Sequence, residues 1–294
     1  MKETIEGFEF NIRTLGPFEA KVMLSAEEAR KAVLDIDFAE ALLGDRMKAV
    51  RTLSRLERKG WLRRVGHGRY VSIPASTGYL DTRMVSVLAT AASFVEPSYV
   101  GWWAAASHLG LTWQHPTLVH VAALKQVKAR LVENAKIEFV KLKPEKFFGF
   151  IKDSHDGFCI SSVAKTVVDC VDRPDLSGGY AEVGIILGNG VEKSSVKEIV
   201  DAALRNGSVS MLQRLGFFLD HVRPDLFDAA ARHALRSRIP RTSRSRLGRE
   251  GSVEGDFGYQ SEWQLQVNIN RSAFMGEVDR FGVGHCRSSK EISP

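Results

Sequence analysis

The sequence predicts a mixed α+β protein, with a small basic module at the N-terminus and a larger module after it. Three observations lead to this prediction. Residues 45–73 combine one helical pattern with two short strand patterns, whereas residues 79–237 mix strand and helix patterns. Between them, residues 74–78 have the composition of a linker. The 294 residues are enough for two domains that each bury a core.

The first module is predicted to span residues 1–74 and to begin with a short strand or arm. Gly16-Pro17 opens a helix, because proline is favoured in a first turn. Residues 33–36 read as one short strand. Asp37 is then expected to cap a second helix, which Gly44 ends.

A third, strongly basic helix is predicted between Asp45, a good N-cap, and Gly60, a residue that ends helices. Its apolar residues recur at helical spacing and are expected to face the core: Met47, Val50, Leu53 and Leu56. Its other faces carry Arg46, Lys48, Arg51, Thr52, Arg55 and Arg58.

Two strands, 62–65 and 69–73, are predicted on either side of the turn Gly66-His67-Gly68. The order helix, strand, helix, helix, strand, strand is that of a winged helix-turn-helix. In that fold a helix enters the DNA major groove and the hairpin contacts nearby backbone. The sequence therefore predicts double-stranded DNA as a partner, although basic helices and hairpins are also found on surfaces that bind nothing.

Positive charge is concentrated in two segments. Residues 45–73 hold nine Lys or Arg and two acids, and residues 232–249 hold seven Arg and no acid, so each segment carries +7. Since the whole chain carries +6, the remaining residues carry −8. Two cationic patches on an acidic body fit a polyanionic partner. For residues 232–249 a second DNA contact, an RNA contact and a solvated linker all stay open, and residues 238–258 are predicted to be a flexible Arg/Ser/Gly-rich segment.

The DNA-binding candidates fall into two groups. On the helix, arginines can grip guanine O6 and N7 while lysine supplies phosphate contacts, and the groove-facing candidates are Arg46, Lys48, Arg51, Thr52 and Arg55. On the hairpin, the residues expected to hold backbone phosphates are Arg63, Arg64, His67 and Arg69. Strand alternation puts Arg63 and Arg64 on opposite faces, so one of the two is expected to miss the DNA.

The sequence gives less support to other classes of protein. Three cysteines are too few and too scattered for a zinc cluster or a disulfide framework, and they fit a reducing cytoplasm. No signal peptide is expected from residues 1–10, and no uninterrupted apolar run reaches membrane-spanning length, so no membrane span is expected. No cofactor or metal site is predicted, because the histidines share no ligand spacing.

An enzyme, such as a nuclease with a DNA reader, is the competing class. Its acidic candidates are Asp153, Asp156, Asp169, Asp172 and Glu182, which are not spaced as converging metal ligands. Lys165 and Asp169 are predicted to form a surface ion pair. No catalytic residue is assigned, and the protein is expected not to be an enzyme.

The second module is predicted to begin with a helix at 83–93 and a helix at 99–109 that Ser98 caps. Strands are expected at 119–123, 137–142, 147–152 and 158–161. Four helices follow at 164–171, 180–187, 195–206 and 209–220, and a fifth after Pro224. Trp102, Trp103, Trp113 and Tyr99 are expected to be a buried anchor. A returning strand is predicted at 259–270 and a disordered tail at 271–294.

Three segments of this module, together with the basic module, resemble the AbiEi family, the antitoxins of AbiE-type (type IV) toxin–antitoxin and phage-defence systems. The segments are PSYVGWWAAASHLGL at 97–111, FFG at 147–149 and AKTVVDCVDRPDLSGG at 164–179. The resemblance covers roughly residues 15–270, and residues 169–179 are its most specific part.

The resemblance implies a cytoplasmic transcriptional repressor whose winged helix binds inverted repeats in its own promoter, by self-association or by adjacent binding of two copies. It also implies that residues 79–237 are an antitoxin domain that counteracts a nucleotidyltransferase-like toxin, not necessarily by direct contact. The alternatives are a stand-alone winged-helix regulator, a protein that binds the toxin through its second domain, and a nuclease-like enzyme.

Overall fold

A computed structural model of the chain describes residues 2–5, 8–11, 14–29, 31, 33–66, 68–73, 87–132, 135–153 and 158–281. Within these ranges the fold is mixed α+β, as predicted, with 11 α-helices and 14 strands. None of the helices in the described ranges combines the length and hydropathy needed to cross a bilayer.

The N-terminal part has the predicted order of elements. After a short antiparallel hairpin, β1 (Lys2–Ile5) and β2 (Phe8–Asn11), its elements are α1 (Pro17–Glu28), β3 (Val33–Asp35), α2 (Ile36–Leu43), α3 (Arg46–Arg58), β4 (Leu62–Gly66) and β5 (Arg69–Ser72). Strands β3, β5 and β4 form an antiparallel sheet in that order.

Local signals explain where these helices begin and end. The Asp45 side chain accepts a hydrogen bond of 2.6 Å from the Lys48 amide and so caps α3 as predicted. Gly44, with φ of +73°, ends α2. The cap of α2 is Asp35, which accepts from the Phe38 amide at 2.8 Å, so the predicted cap, Asp37, is wrong.

A six-stranded sheet organises the second part. The elements of this region are, in order, α4 (Val87–Ser93), β6 (Ser98–Val100), α5 (Trp102–His108), β7 (Leu118–Ala123), β8 (Arg130–Val132), β9 (Ala135–Lys141), β10 (Phe150–Lys152) and β11 (Cys159–Ser161), and the six strands form the sheet. The strand order is β10-β11-β6-β7-β9-β8. Ser98 therefore begins a strand instead of capping a helix, and Gly101 is the N-cap of α5.

Five helices follow this sheet in the sequence, in agreement with the predicted helical region, and the first of them contacts β11: α6 (Val163–Asp172), α7 (Tyr180–Lys193), α8 (Val196–Asn206), α9 (Val209–Val222) and α10 (Ala229–Arg236). Their apolar faces form the largest buried cluster together with Tyr99 and Trp102. Trp102 is therefore a core anchor, as expected, whereas Trp113 is 57% exposed and the prediction for it is wrong.

The C-terminal elements agree with the prediction only in part, because a strand does form within the predicted range 259–270. Strands β12 (Ser245–Gly248), β13 (Asp256–Gln260) and β14 (Leu265–Asn270) form a separate sheet, and α11 (Arg271–Phe281) follows. The segment 238–258 is thus not a flexible linker throughout, because Leu247 is buried and pairs with Val267. The predicted tail is wrong for residues 271–281, since α11 buries Phe274 and Val278 against α7. Residues 282–294 lie outside the described ranges.

Candidate nucleic-acid interface

The buried face of α3 is rotated from the predicted one. Ala49, Thr52, Leu53 and Leu56 are buried, whereas Met47 is 59% exposed. The Thr52 hydroxyl donates to the Lys48 carbonyl oxygen at 2.8 Å, and this local bond allows a polar side chain to be buried. The predictions that Met47 faces the core and that Thr52 faces a DNA groove are therefore wrong.

One exposed face of α3 is cationic. Arg51, Arg55 and Arg58 are exposed, and their spacing of four and three residues places them on the same side of the helix. None of the three forms an ion pair with another described residue. Arg58 was not among the predicted site residues, although its distance of seven residues from Arg51 is a signal that could have identified it.

A buried carboxylate lies beneath this face. Burial opposes ionisation of Glu19, but hydrogen bonds from the Gly16 amide and the Lys59 ammonium group hold its pKa below the usual value. The Lys59 bond is 2.5 Å long, and the positive charge of Arg55 acts in the same direction. Lys59 is therefore paired with an acid of the same module, whereas the guanidinium of Arg55 is exposed.

The other two predicted cations of α3 are engaged with the module itself. The Nη1 atom of Arg46 donates to Asp37 at 2.8 Å and to Glu40 at 2.7 Å, and these bonds raise its pKa. The Nζ atom of Lys48 lies 3.5 Å from the ring centroid of Phe18 in α1, at cation–π distance. Of the predicted helix residues, Arg51 and Arg55 are thus the best placed for a partner.

The hairpin faces two ways. Arg64 is exposed and its Nε atom donates to the Gly66 carbonyl oxygen at 3.2 Å, whereas Arg63 is half-buried, consistent with their opposite faces. The guanidinium of Arg69 donates to the carbonyl oxygen of Ser93, so Arg69 faces the second part of the chain, contrary to the prediction. A Cβ atom on Gly66 would lie 3.7 Å from the Phe94 ring. His67 lies outside the described residues.

The Lys165–Asp169 pair is buried, not at the surface as predicted. Lys165 is 0% exposed and its ammonium group donates to Asp169, which also accepts from the Tyr99 hydroxyl at 3.2 Å. Burial raises the pKa of Asp169, and Lys165 opposes that effect. Tyr99 lies 70 residues away along the chain, so no local pattern could show this environment.

The remaining acidic candidates have separate partners. Asp172 accepts from Lys146 at 2.8 Å and from Ser208 at 3.1 Å, and Asp153 is 3.0 Å from the Nε2 atom of His108. Asp156 lies outside the described residues. In the described part of the chain, no group of three or more His, Cys, Asp and Glu side chains is arranged to hold a metal ion.

The Arg-rich segment is partly used by the fold. Arg232 forms ion pairs with Asp220 and with Glu262, the latter at 3.1 Å, and Arg246 lies 3.3 Å from Glu250. Its other exposed arginines are Arg238, Arg241, Arg244 and Arg249. These arginines flank β12 in the sequence and are separate from α3.

Comparisons with known proteins give a fold relationship. No protein-family model matches the chain, and no curated protein matches its sequence at a significant level. Among solved structures, the crystal structure of the Rv2827c protein from Mycobacterium tuberculosis is similar, with a TM-score of 0.55 and 17% identity over 92% of this chain and 96% of that chain. At this identity the similarity shows a shared mixed α+β fold alone.

Proposed function

We propose that residues 17–72 form a winged helix-turn-helix and that the protein binds double-stranded DNA with α3 in the major groove. The observation that carries this proposal is the exposed face of Arg51, Arg55 and Arg58 on a helix whose opposite face is buried. Three like charges held side by side, none of which forms an ion pair with a described acidic side chain, suit a polyanion.

The side chains have different roles in this proposal. Arg51 and Arg55, near the middle of the helix, contact base edges, for which bidentate pairing to guanine is the commonest specific arrangement. Arg58 at the end of the helix and Arg64 on the hairpin contact phosphates and fix the register. An operator made of inverted repeats binds two copies of the module.

Substitutions within α3 test the proposal. Arg51→Ala and Arg55→Ala should each weaken binding to a fragment of the protein's own promoter by about 1–3 kcal/mol in an electrophoretic mobility-shift titration. Arg46→Ala is the matched control, because it removes an arginine of the same helix that is bonded to Asp37 and Glu40. The proposal that α3 contacts the bases would be refuted if both test variants bound the promoter as tightly as the wild type. It would also be refuted if the Arg46→Ala control lost as much affinity as they do.

The wider proposal is that the protein represses its own operon and acts as the antitoxin of an AbiE-type system. Support comes from the resemblance of residues 97–111, 147–149 and 164–179 to AbiEi proteins. These three segments pack together: the Tyr99 ring is 5.2 Å from that of Phe147, and its hydroxyl bonds Asp169. They therefore behave as parts of one core, which fits their joint occurrence.

Genetic and biochemical tests address this wider proposal. A neighbouring reading frame for a nucleotidyltransferase-like protein is expected, and expression of the present chain should rescue cells from its toxicity. Absence of rescue with intact promoter binding would instead favour a stand-alone regulator. Size-exclusion chromatography of the two purified proteins distinguishes a functional antitoxin from one that forms a stable complex with the toxin.

A further inference from the structure

A cavity of about 570 Å³ lies between α7, α11 and the segment 112–114 that follows α5. It is remote in sequence from the basic module, and the proposed DNA contacts do not use it. Its lining combines one buried carboxylate with exposed aromatic side chains, an unusual pairing for a surface that binds nothing.

The buried carboxylate belongs to Glu182, which is 4% exposed. One oxygen accepts from the Trp103 indole at 3.0 Å and from the Thr112 hydroxyl, and the other accepts from the Gln114 amide at 3.1 Å. All three donors are neutral, and no ion pair joins Glu182 to another described residue. The hydrogen bonds fix the orientation of the carboxyl group but supply no cationic partner among the described residues.

Two backbone features hold Glu182 in place. It lies in the first turn of α7, where the helix dipole favours a negative charge. Gly178, with φ of +76°, lies so close that a Cβ atom there would be 2.8 Å from Glu182 and 2.9 Å from Trp103. Gly178 belongs to residues 169–179, the part of the sequence with the most specific resemblance to the AbiEi family. This segment therefore packs against the Glu182 side chain.

The aromatic part of the lining is exposed. Trp113 and Phe281 are 57% and 44% exposed, and both line the cavity. The faces of such rings attract cations, most strongly for tryptophan. The guanidinium of Arg280 already lies 5.1 Å from the centroid of the Phe281 ring, and a second acid, Glu277, also lines the cavity.

From this geometry we infer that the cavity binds an alkylammonium or guanidinium group, with its charge at Glu182 and its carbon chain against Trp113. A buried carboxylate is most stable when a cation pairs with it. The three neutral donors to Glu182 do not supply that cation. Arg280 faces Phe281 and does not fill this role. The inference does not depend on DNA binding.

The cation can come from two sources with the same chemistry. One is a free diamine or guanidino compound. The other is the chain itself, because Arg287 and Lys290 follow Phe281 in the sequence. The experiment below distinguishes them through substitutions that leave the cavity unchanged.

Agmatine, which carries both a guanidinium and an ammonium group, is the probe, titrated into the full-length protein by isothermal calorimetry. Saturable binding is expected, and Trp113→Ala should weaken it roughly three- to tenfold, the range of a single cation–π contact. Glu182→Gln should weaken it further because the charge is lost. Tyr259→Ala is the control, since that ring is 48% exposed on β13 and does not line the cavity.

Folding of each variant is checked by thermal unfolding, and Trp113→Ala keeps the test valid if Glu182→Gln fails to fold, because Trp113 is exposed. An Arg287→Gln/Lys290→Gln variant that binds agmatine more tightly than the wild type would identify the chain's own residues as the occupant. Equal affinity would identify a free cation. The inference fails if neither protein binds agmatine, or if Trp113→Ala and Glu182→Gln bind it like the wild type.

Discussion

The guanidinium of Arg69 in β5 donates a hydrogen bond to the backbone carbonyl oxygen of Ser93 at the end of α4. Gly66 in the same hairpin lies against Phe94, and Arg63 and Arg64 line a cavity of about 210 Å³ with Thr90 and Leu131. The hairpin is thus one of the places where the N-terminal module contacts the second part of the chain, and β3 is another, because it contacts α4.

A substitution of Arg69 should show whether this side chain only connects the hairpin to the second part of the chain or also contacts DNA. Arg69→Ala should lower the free energy of unfolding by about 1 kcal/mol, because a hydrogen bond from a charged group is lost at a half-exposed site, and should speed amide exchange in β4 and β5. The dependence of promoter affinity on salt should keep its slope in Arg69→Ala, whereas Arg58→Ala, which removes a proposed phosphate contact, should make that slope shallower by about 0.9, the value for one phosphate. A slope that changes equally in both variants would show that Arg69 contacts DNA.

The slope for the wild type is itself informative. Contact with about six phosphates corresponds to a log–log slope near −5. A slope close to zero on a purified promoter fragment would remove the electrostatic basis of the proposed DNA binding.

Local sequence signals predicted where the helices and strands lie, but they did not predict which of their faces are buried. Asp45 and Gly44 mark helix ends through bonds and angles within a few residues, so they could be read directly. The face that α3 buries depends on Val22 and Leu34, which come from other elements of the same core. Thr52 appeared exposed because its bond to the Lys48 carbonyl oxygen cannot be inferred from polarity.

The candidate sites show the same limit. Glu182 depends on Thr112 and Gln114, which lie 70 and 68 residues away, and Asp169 depends on Tyr99 at 70 residues. Such partners are fixed by the tertiary fold and leave no periodic trace in the sequence. Strand β12 was missed for another reason: it buries only Leu247 among polar neighbours, and its composition is that of a solvated segment.

Breaking the buried Lys165–Asp169 pair should be costly. Lys165→Met leaves a carboxylate buried without its cation and should destabilise the fold by about 3–5 kcal/mol in urea unfolding. The double variant Lys165→Met/Asp169→Leu should recover part of this loss, since no unpaired charge remains. The control is Lys197→Met, which breaks an exposed pair of the same i,i+4 spacing with Asp201 and should change stability little. Similar losses for Lys165→Met and Lys197→Met would contradict the difference in burial.

His120 should make the fold sensitive to acid. Its ring is buried beside Trp102, both of its nitrogens lack a hydrogen-bond partner among the described residues, and burial lowers its pKa below 6.5. The unfolded chain therefore binds a proton more readily, so the stability from neutral His120 is full above about pH 6.5 and is lost as the pH falls below it. His120→Phe should flatten the melting temperature between pH 7 and pH 5, whereas the exposed His115→Phe should follow the wild type. Parallel curves for all three proteins would exclude His120 as the cause.

Two helical glycines should respond in opposite directions to the same substitution. In α9, a Cβ atom on Gly216 would lie 2.3 Å from the Trp263 ring, which is buried and bonded to Asp220 at 2.6 Å and so has little freedom to shift. Gly216→Ala should therefore destabilise the protein by about 1–3 kcal/mol or more through overpacking. In α11, a Cβ atom on Gly276 would meet no atom of the described residues within 4 Å, so Gly276→Ala should gain up to about 1 kcal/mol of helix propensity. Chemical unfolding of both variants measures the difference, and a neutral Gly216→Ala would mean that Trp263 is not held against α9 as the structure shows.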